Sequence, residues 1–316
     1  MADWQPTASL AMLQERARLL AAIRAFMSDR AVMEVDVPVL STATVTDPHL
    51  ESFVVTSPQA ASGNYYLMTS PEFYLKRVLA AGSGPIYSLG PAFRAGDCGA
   101  RHQPEFTMLE WYRPEWTIAQ LMDEVAELVH GAIAGPVAQK TYRQAFLDHA
   151  GIDPHRADLA QLRALAQSRL SPAFDSDDRY TWLDLLFSHL VEPQLAGKVF
   201  VTEFPATQAA LAQTASDTHG NAIAMRFELY INGIEIANGY QEEREPTVLV
   251  KRFAENLALR AANRQSQPPV DELFLAAMRA GMPACAGVAL GVDRLLMVAT
   301  GAPAIAAVVP FAFGQP

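Results

Sequence analysis

Leu10, Leu13, Ala17, Leu20, Ile23 and Met27 recur at helical spacing and give an apolar face to a helix that Ser9 caps and that runs to about residue 29. An extended segment over 32–40 follows, with Pro38 disfavouring helix inside it. Short apolar runs predict strands over 65–70 and 86–93, separated by a helix over 71–81 with Pro71 in its first turn. Residues 106–113 alternate as a strand, and the loop 95–104 makes them a long hairpin with the strand before. A helix is expected over 117–134. From about 137 to 194 the pattern is mostly helical and less regular, which reads as an insertion packed on the catalytic domain. Strands return over 199–204, 225–231 and 234–238, and Asn232-Gly233 joins the last two as a tight turn. Helices over 246–263 and 270–280 precede a strand over 288–291 that runs into a helix from Asp293. Hairpin-linked strands with helices outside them predict an α+β fold with a mainly antiparallel sheet. No internal repeat or low-complexity linker divides the chain, and its 316 residues suit one large domain or two small ones.

Composition narrows the partners. Half of the 316 residues are hydrophobic, ample for a large core. The formal net charge of −10 argues against a broad nucleic-acid surface, which needs clustered Lys and Arg, so no stable nucleic-acid partner is expected. The two cysteines, Cys98 and Cys285, form no CxxC pair and read as free thiols. The start, MADWQPTASLAML, lacks a basic segment followed by an apolar core. No apolar run approaches the roughly 20 residues that span a bilayer. The chain therefore reads as soluble and cytoplasmic, with no membrane partner.

Candidate chemistry concentrates in two places. Phe93 to Arg113 reads FRAGDCGARHQPEFTMLEWYR, a strand ending in Arg94, a Gly-rich charged loop and a second strand. Near the C-terminus, GVALGVDR brings Arg294 to the start of a helix behind a Gly-rich strand. A planar guanidinium binds phosphate through two parallel hydrogen bonds, so Arg94 and Arg294 together suit the α-phosphate and leaving pyrophosphate of ATP. Arg101 and His102 in the loop are within reach of the outer phosphates, although each arginine taken singly also suits a surface salt bridge. Glu228, Glu235 and Glu242 repeat every seven residues. Across a hairpin this spacing brings carboxylates to one side, where they suit Mg²⁺; it equally suits solvated acids on an alternating strand. Thr69-Ser70-Pro71-Glu72 sets an acid at a strand-to-helix turn, and Glu110 and Tyr112 share one strand face. Acids in a pocket short of water favour ammonium groups. No GxxxxGK[ST], HExxH or GxSxG motif competes.

Jointly, TSPE, FR…RHQPEFTMLEWY, FELYINGIEIANG and GVALGVDR resemble the class II aminoacyl-tRNA synthetases of the lysyl type over nearly the whole chain. Within them the chain looks most like the truncated paralogues of the elongation factor P–(R)-β-lysine ligase family. The resemblance implies a catalytic domain without an anticodon-binding barrel, a homodimer, and ATP with Mg²⁺. It also implies (R)-β-lysine or lysine as amino-acid substrate and elongation factor P as protein substrate. The helix, strand and proline near the N-terminus resemble the dimer-forming motif 1. By position, Ser70, Pro71, Glu72, Tyr112 and Glu242 would hold the amino acid, with Glu110 supporting its ammonium groups. Arg94, Asp97, Arg101, His102, Gln103, Phe106, Glu235, Ile236, Gly291 and Arg294 would hold ATP, Phe106 by stacking on adenine; Glu228 and Glu235 would bind Mg²⁺. Three positions depart from the family pattern. The usual FRNE is Phe93-Arg94-Ala95-Gly96 here, with Asp97 next to the missing acid. Gln103 replaces a usual Asn, and Glu243-Arg244-Glu245-Pro246 is unlike the polar run expected after Glu242. Ala289 stands where lysyl-tRNA synthetases carry Gly and the β-lysine ligases carry Ala. One methyl at a pocket floor costs about 1–3 kcal/mol if it clashes, enough to reshape the preference between lysine and β-lysine. Two rival readings remain: an enzyme charging tRNA with lysine, and a non-catalytic amino-acid-binding regulatory paralogue.

Overall fold

The computed structural model describes residues 4–56 and 63–314; the first residues of the N-terminal stretch read for a leader lie outside them. The chain divides into two compact units, one made of Met1–Ala134 and Glu242–Pro316, the other of Gly135–Gln241. Both combine strands and helices, and most strand pairs are antiparallel, as the hairpin-linked pattern predicts.

In the first unit the helix Leu10–Asp29 starts where expected: the Ser9 hydroxyl accepts from Met12 N at 3.1 Å. The expected extended stretch over 32–40 is two short strands, Met33–Glu34 and Leu40–Ser41. Pro38 between them has no N–H to give to a ladder, which accounts for the break. Met33–Glu34 runs parallel to Ile86–Phe93, which pairs antiparallel with Glu105–Pro114, which in turn pairs antiparallel with Cys285–Gly291. One face of these strands is covered by Ile118–Ala132, whose Thr117–Gln120 capping box fixes its start. Beneath that helix Trp111 Nε1 donates to Glu124 Oε2 at 2.9 Å, and the Arg113 guanidinium pairs with the same carboxylate. The helices Glu72–Ala80, Pro246–Ala262 and Glu272–Ala280 pack together, with the Phe73 ring stacked on Phe274 at 4.4 Å. A small sheet of Leu40–Ser41, Val54–Thr56 and Asn64–Leu67 completes the unit.

The second unit opens on a strand, Val137–Thr141, where a helical pattern was expected; it lies parallel to Lys198–Pro205. Thr141 then caps the first of the helices, Tyr142–His149. These helices meet the strands through Tyr142, Phe146, Phe187 and Phe204, whose ring centroids lie about 5–6 Å apart. Ala222–Ile231 pairs with Lys198–Pro205 on one side and Glu235–Gln241 on the other. Asn232 and Gly233 take φ of 50° and 69°, the left-handed pair that a two-residue hairpin requires. A Cβ on Gly233 would also meet the Glu192 carbonyl oxygen at 2.8 Å, so this position is closed to any larger residue.

Candidate active site

Residues directly opposite each other in an antiparallel ladder point to the same face. Glu110 is flanked by Ser88 and Ala289, Tyr112 by Ile86 and Gly287, and Met108 by Gly90 and Gly291. Phe106, Met108, Glu110 and Tyr112 thus line one face of the central strand, and small residues stand on both sides of much of it. That face of the first unit has a polar end at Glu110 and Tyr112 and an aromatic end at Phe106.

At the polar end the expected acids meet. Tyr112 donates to Glu110 Oε1 at 2.6 Å and Ser70 donates to Glu110 Oε2 at 2.5 Å. Ser70 Oγ also accepts from Glu72 N at 3.1 Å, which ties the serine to the first residue of the helix that Pro71 precedes. One residue absent from the sequence reading completes the cluster. Lys76 is wholly buried, and its Nζ lies 2.6 Å from both Glu72 Oε1 and Glu242 Oε2. The Glu72-to-Lys76 spacing of four on a helix was the available signal. Glu242 is anchored by its own N–H, which donates to Cys285 O at 3.0 Å.

The electrostatics follow from burial. Glu110 and Glu242 are 3% and 1% exposed. Loss of solvent pushes Glu110 up to about 7, with the charge of Glu72 adding to it. Loss of solvent likewise pushes Glu242 up to about 8, although Lys76 opposes it. Burial alone would discharge Lys76, but Glu242 and Glu72 outweigh it and hold the ammonium above the ordinary lysine range. Burial, then the charge of Glu110, raises the Tyr112 phenol, so it stays a proton donor. Three carboxylates against one ammonium leave the cluster two negative charges in excess when all are ionised.

Gly287 is the second residue the sequence reading missed. A Cβ there would overlap both the Tyr112 ring and Glu242 Oε1, closer than real Cβ atoms approach their neighbours. Gly287→Ala is expected to cost about 1–3 kcal/mol of stability through overpacking. A thermal melt checks it; an unchanged melting temperature would mean that Tyr112 and Glu242 need not hold their positions.

At the aromatic end Arg94 carries its guanidinium 5.1 Å from the centroid of the Phe106 ring. Arg94 N donates to Pro104 O at 2.9 Å, closing the loop at its base. Its Nε is buried and has no hydrogen-bond partner, a donor that fits a phosphate or sugar oxygen. Arg294 lies in the first turn of Val292–Thr300; its Nε donates to Arg101 O at 3.2 Å and a terminal nitrogen is 2.6 Å from His102 Nε2. Arg94 and Phe106 thus meet at one place, and Arg101, His102 and Arg294 at another. Asp293 fixes the helix start by accepting from Thr107 N at 2.7 Å and pairing with Arg16 at 2.5 Å. Gly96, where the family's acid is absent, has φ +88°, a conformation that disfavours an acidic side chain at that position. Asp97 beside it is half-buried. Gln103 is buried, and its Oε1 accepts from Phe313 N at 2.7 Å.

The second unit holds the other acids. Glu228 is buried and takes hydrogen bonds from Arg226 and Tyr230, two residues away on either side. Its pKa is raised by burial, against the pull of Arg226, with Glu235 adding to the rise. Arg226 is itself fixed by Gln208 O at 2.9 Å and Asn238 Oδ1 at 3.1 Å. Ile236 is buried beside Glu235. Glu228 and Glu235 therefore act on one another, whereas Glu242 belongs to the Lys76 cluster. Among the described residues no group of three or more His, Cys, Asp or Glu side chains is placed to hold a metal ion.

Comparison with known proteins bears on this arrangement. The sequence pattern of the tRNA synthetases class II (D, K and N) matches residues 1–315. The chain belongs to that family. It is 48% identical, over 98% of both chains, to an elongation factor P–(R)-β-lysine ligase of Edwardsiella ictaluri. Ligases of the same name from Salmonella typhi and Yersinia enterocolitica are each 47% identical, over 98% and 99% of this chain and 97% and 98% of their own.

Proposed function

We propose that this chain is an ATP-dependent ligase that activates (R)-β-lysine as an acyl-adenylate and transfers it to a lysine side chain of elongation factor P. The observation that carries the reading is the buried cluster of Glu72, Glu110, Glu242 and Lys76. Its excess of two negative charges matches a substrate with two ammonium groups, and the kinship with the named ligases supports β-lysine as that substrate. The substrate carboxylate would then point along the same strand face toward Arg94 and Phe106. An oxygen of that carboxylate attacks the α-phosphorus, the bond to the pyrophosphate oxygen breaks, and pyrophosphate leaves. The arginines stabilise the charge that spreads over the phosphate oxygens. The ε-amine of the acceptor lysine, once deprotonated, attacks the mixed anhydride; an amide forms and AMP departs. Glu228 and Glu235, which act on one another, would hold Mg²⁺, an ion that takes few carboxylates and completes its shell with water and phosphate. Exposed Leu10, Met33 and Leu40 on the N-terminal helix–strand–proline segment support a homodimer. Among the described residues no helix is long and apolar enough to cross a membrane, and the reading places the enzyme in the cytoplasm.

Amino-acid-dependent exchange of pyrophosphate into ATP tests the first step, and its pH dependence tests the cluster. Two ammonium groups need ionised carboxylates, so the KM for β-lysine is expected to fall as pH rises through about 7 and 8, the values of Glu110 and Glu242. Below that window the slope approaches about tenfold per pH unit for each group. Stability runs the other way. Both carboxyls sit above their unfolded values, so their contribution is present below those values and is lost as pH rises through the same window. A KM independent of pH between about 6 and 8.5 would remove the cluster from substrate binding.

A further inference from the structure

The segment after the last helix runs back to the loop that carries Arg101 and His102. Ile305 N donates to Ala100 O at 2.8 Å, at the loop's tip. Phe313 N donates to the Gln103 side chain at 2.7 Å, near its base. Between these two points the segment is held by two residues from the other end of the chain, Thr7 and Arg16, the latter donating to Val308 O at 3.5 Å. Thr7 N donates to Pro310 O at 2.9 Å. The Thr7 hydroxyl shares its proton between Val309 O and Pro310 O, at 3.1 and 3.3 Å, and accepts from Ala312 N at 3.1 Å. The Phe311 and Phe313 rings are 69% and 63% exposed, so burial of these rings contributes little to holding the segment's end. The segment is anchored by its other apolar side chains, Ile305, Val308, Val309 and Ala312, which are buried, and hydrogen bonds fix its course.

Arg294 also holds the loop, through Arg101 O and His102. Those contacts use the guanidinium that a phosphate would recruit, so they are lost when Arg294 turns to ATP. The contact from Ile305 N uses a backbone carbonyl, and that from Phe313 N uses the Gln103 Oε1 and not its amide N–H groups, so both can remain when ATP binds. We propose that residues 305–313 form a strap that keeps the loop in place once Arg294 engages ATP. Thr7, which makes no hydrogen bond to the loop, is then a positioning residue for adenylate formation. The proposal rests on the reading that ATP binds beside this loop.

The test uses Thr7→Val, which removes the hydroxyl at nearly constant shape, and Phe313→Pro, which removes the N–H that Gln103 accepts together with the exposed ring and fixes φ there. Phe313→Ala keeps that N–H and serves as control. Both test variants are expected to raise the KM for ATP in pyrophosphate exchange about five- to tenfold, the loss of roughly one hydrogen bond's worth of order. The KM for β-lysine and the melting temperature stay near wild type, as does Phe313→Ala throughout. Amide hydrogen exchange at residues 99–103 speeds up in both. An ATP KM within about twofold of wild type in both variants overturns the strap and leaves the ligase reading standing. So does an equal rise in both KM values with a lowered melting temperature, which marks a merely structural role. Wild-type protein that shows no exchange overturns the strap together with the reading beneath it.

Discussion

Arg294→Ala is expected to lower kcat/KM for β-lysine-dependent pyrophosphate exchange by about 10³-fold, within the range lost when a charge-stabilising donor or arginine is removed from a phosphoryl site. The side chain lies in the first turn of Val292–Thr300, where unsatisfied N–H groups and the helix dipole already favour an anion. It reaches over the loop to Arg101 O and His102, so it is aimed at the place where outer phosphates would lie. Asp293, buried and bound to Thr107 N and Arg16, holds the helix start without help from Arg294. The fold is therefore expected to lose under about 1 kcal/mol. Arg294→Lys restores the charge but not the two parallel hydrogen bonds, and is expected to recover less than about a tenth of the rate. Exchange near wild type in the alanine variant would remove Arg294 from the chemistry.

Lys76→Met is expected to destabilise the protein in a pH-dependent way, by about 3 kcal/mol at pH 8.5 and about half of that at pH 6. Methionine keeps the length and the packing, so the change isolates the charge. Without the ammonium, Glu72, Glu110 and Glu242 face one another in a medium that screens poorly. At low pH the carboxyls take up protons and relieve the repulsion, which is easy because Glu242 already sits near 8. At high pH they cannot. The variant is also expected to lose amino-acid-dependent exchange, because protonated acids no longer answer the substrate's ammonium groups. Melting curves from pH 6 to 8.5 decide the matter: a constant loss would make Lys76 a packing residue.

Much of this was legible in the sequence where local rules act alone. The capping of Leu10–Asp29 by Ser9, the strand Ile86–Phe93 and the Asn232-Gly233 turn followed from side-chain spacing and backbone preference. The pairing of Glu110 with Tyr112 followed from a period of two. Short elements were not legible: Val137–Thr141 and Leu40–Ser41 depend on partners distant in sequence. Lys76 escaped because a lysine on a helix is ordinarily solvated, and only the fold shows it with no exposure. Gly287 escaped because its role is an approach between strands, visible once Tyr112 and Glu242 are both in place. The seven-residue repeat of acids was half informative: Glu228 and Glu235 act together, while Glu242 turns to Lys76.

The most direct measurement is the intact mass of unmodified elongation factor P after incubation with this protein, ATP, Mg²⁺ and either (R)-β-lysine or lysine, beside a tRNA-charging control. The account predicts that elongation factor P gains the mass of one β-lysyl group, that β-lysine is preferred to lysine, and that tRNA stays uncharged. Charged tRNA with no protein adduct would contradict it in favour of a synthetase, and neither product would leave a chain that binds an amino acid without ligating it.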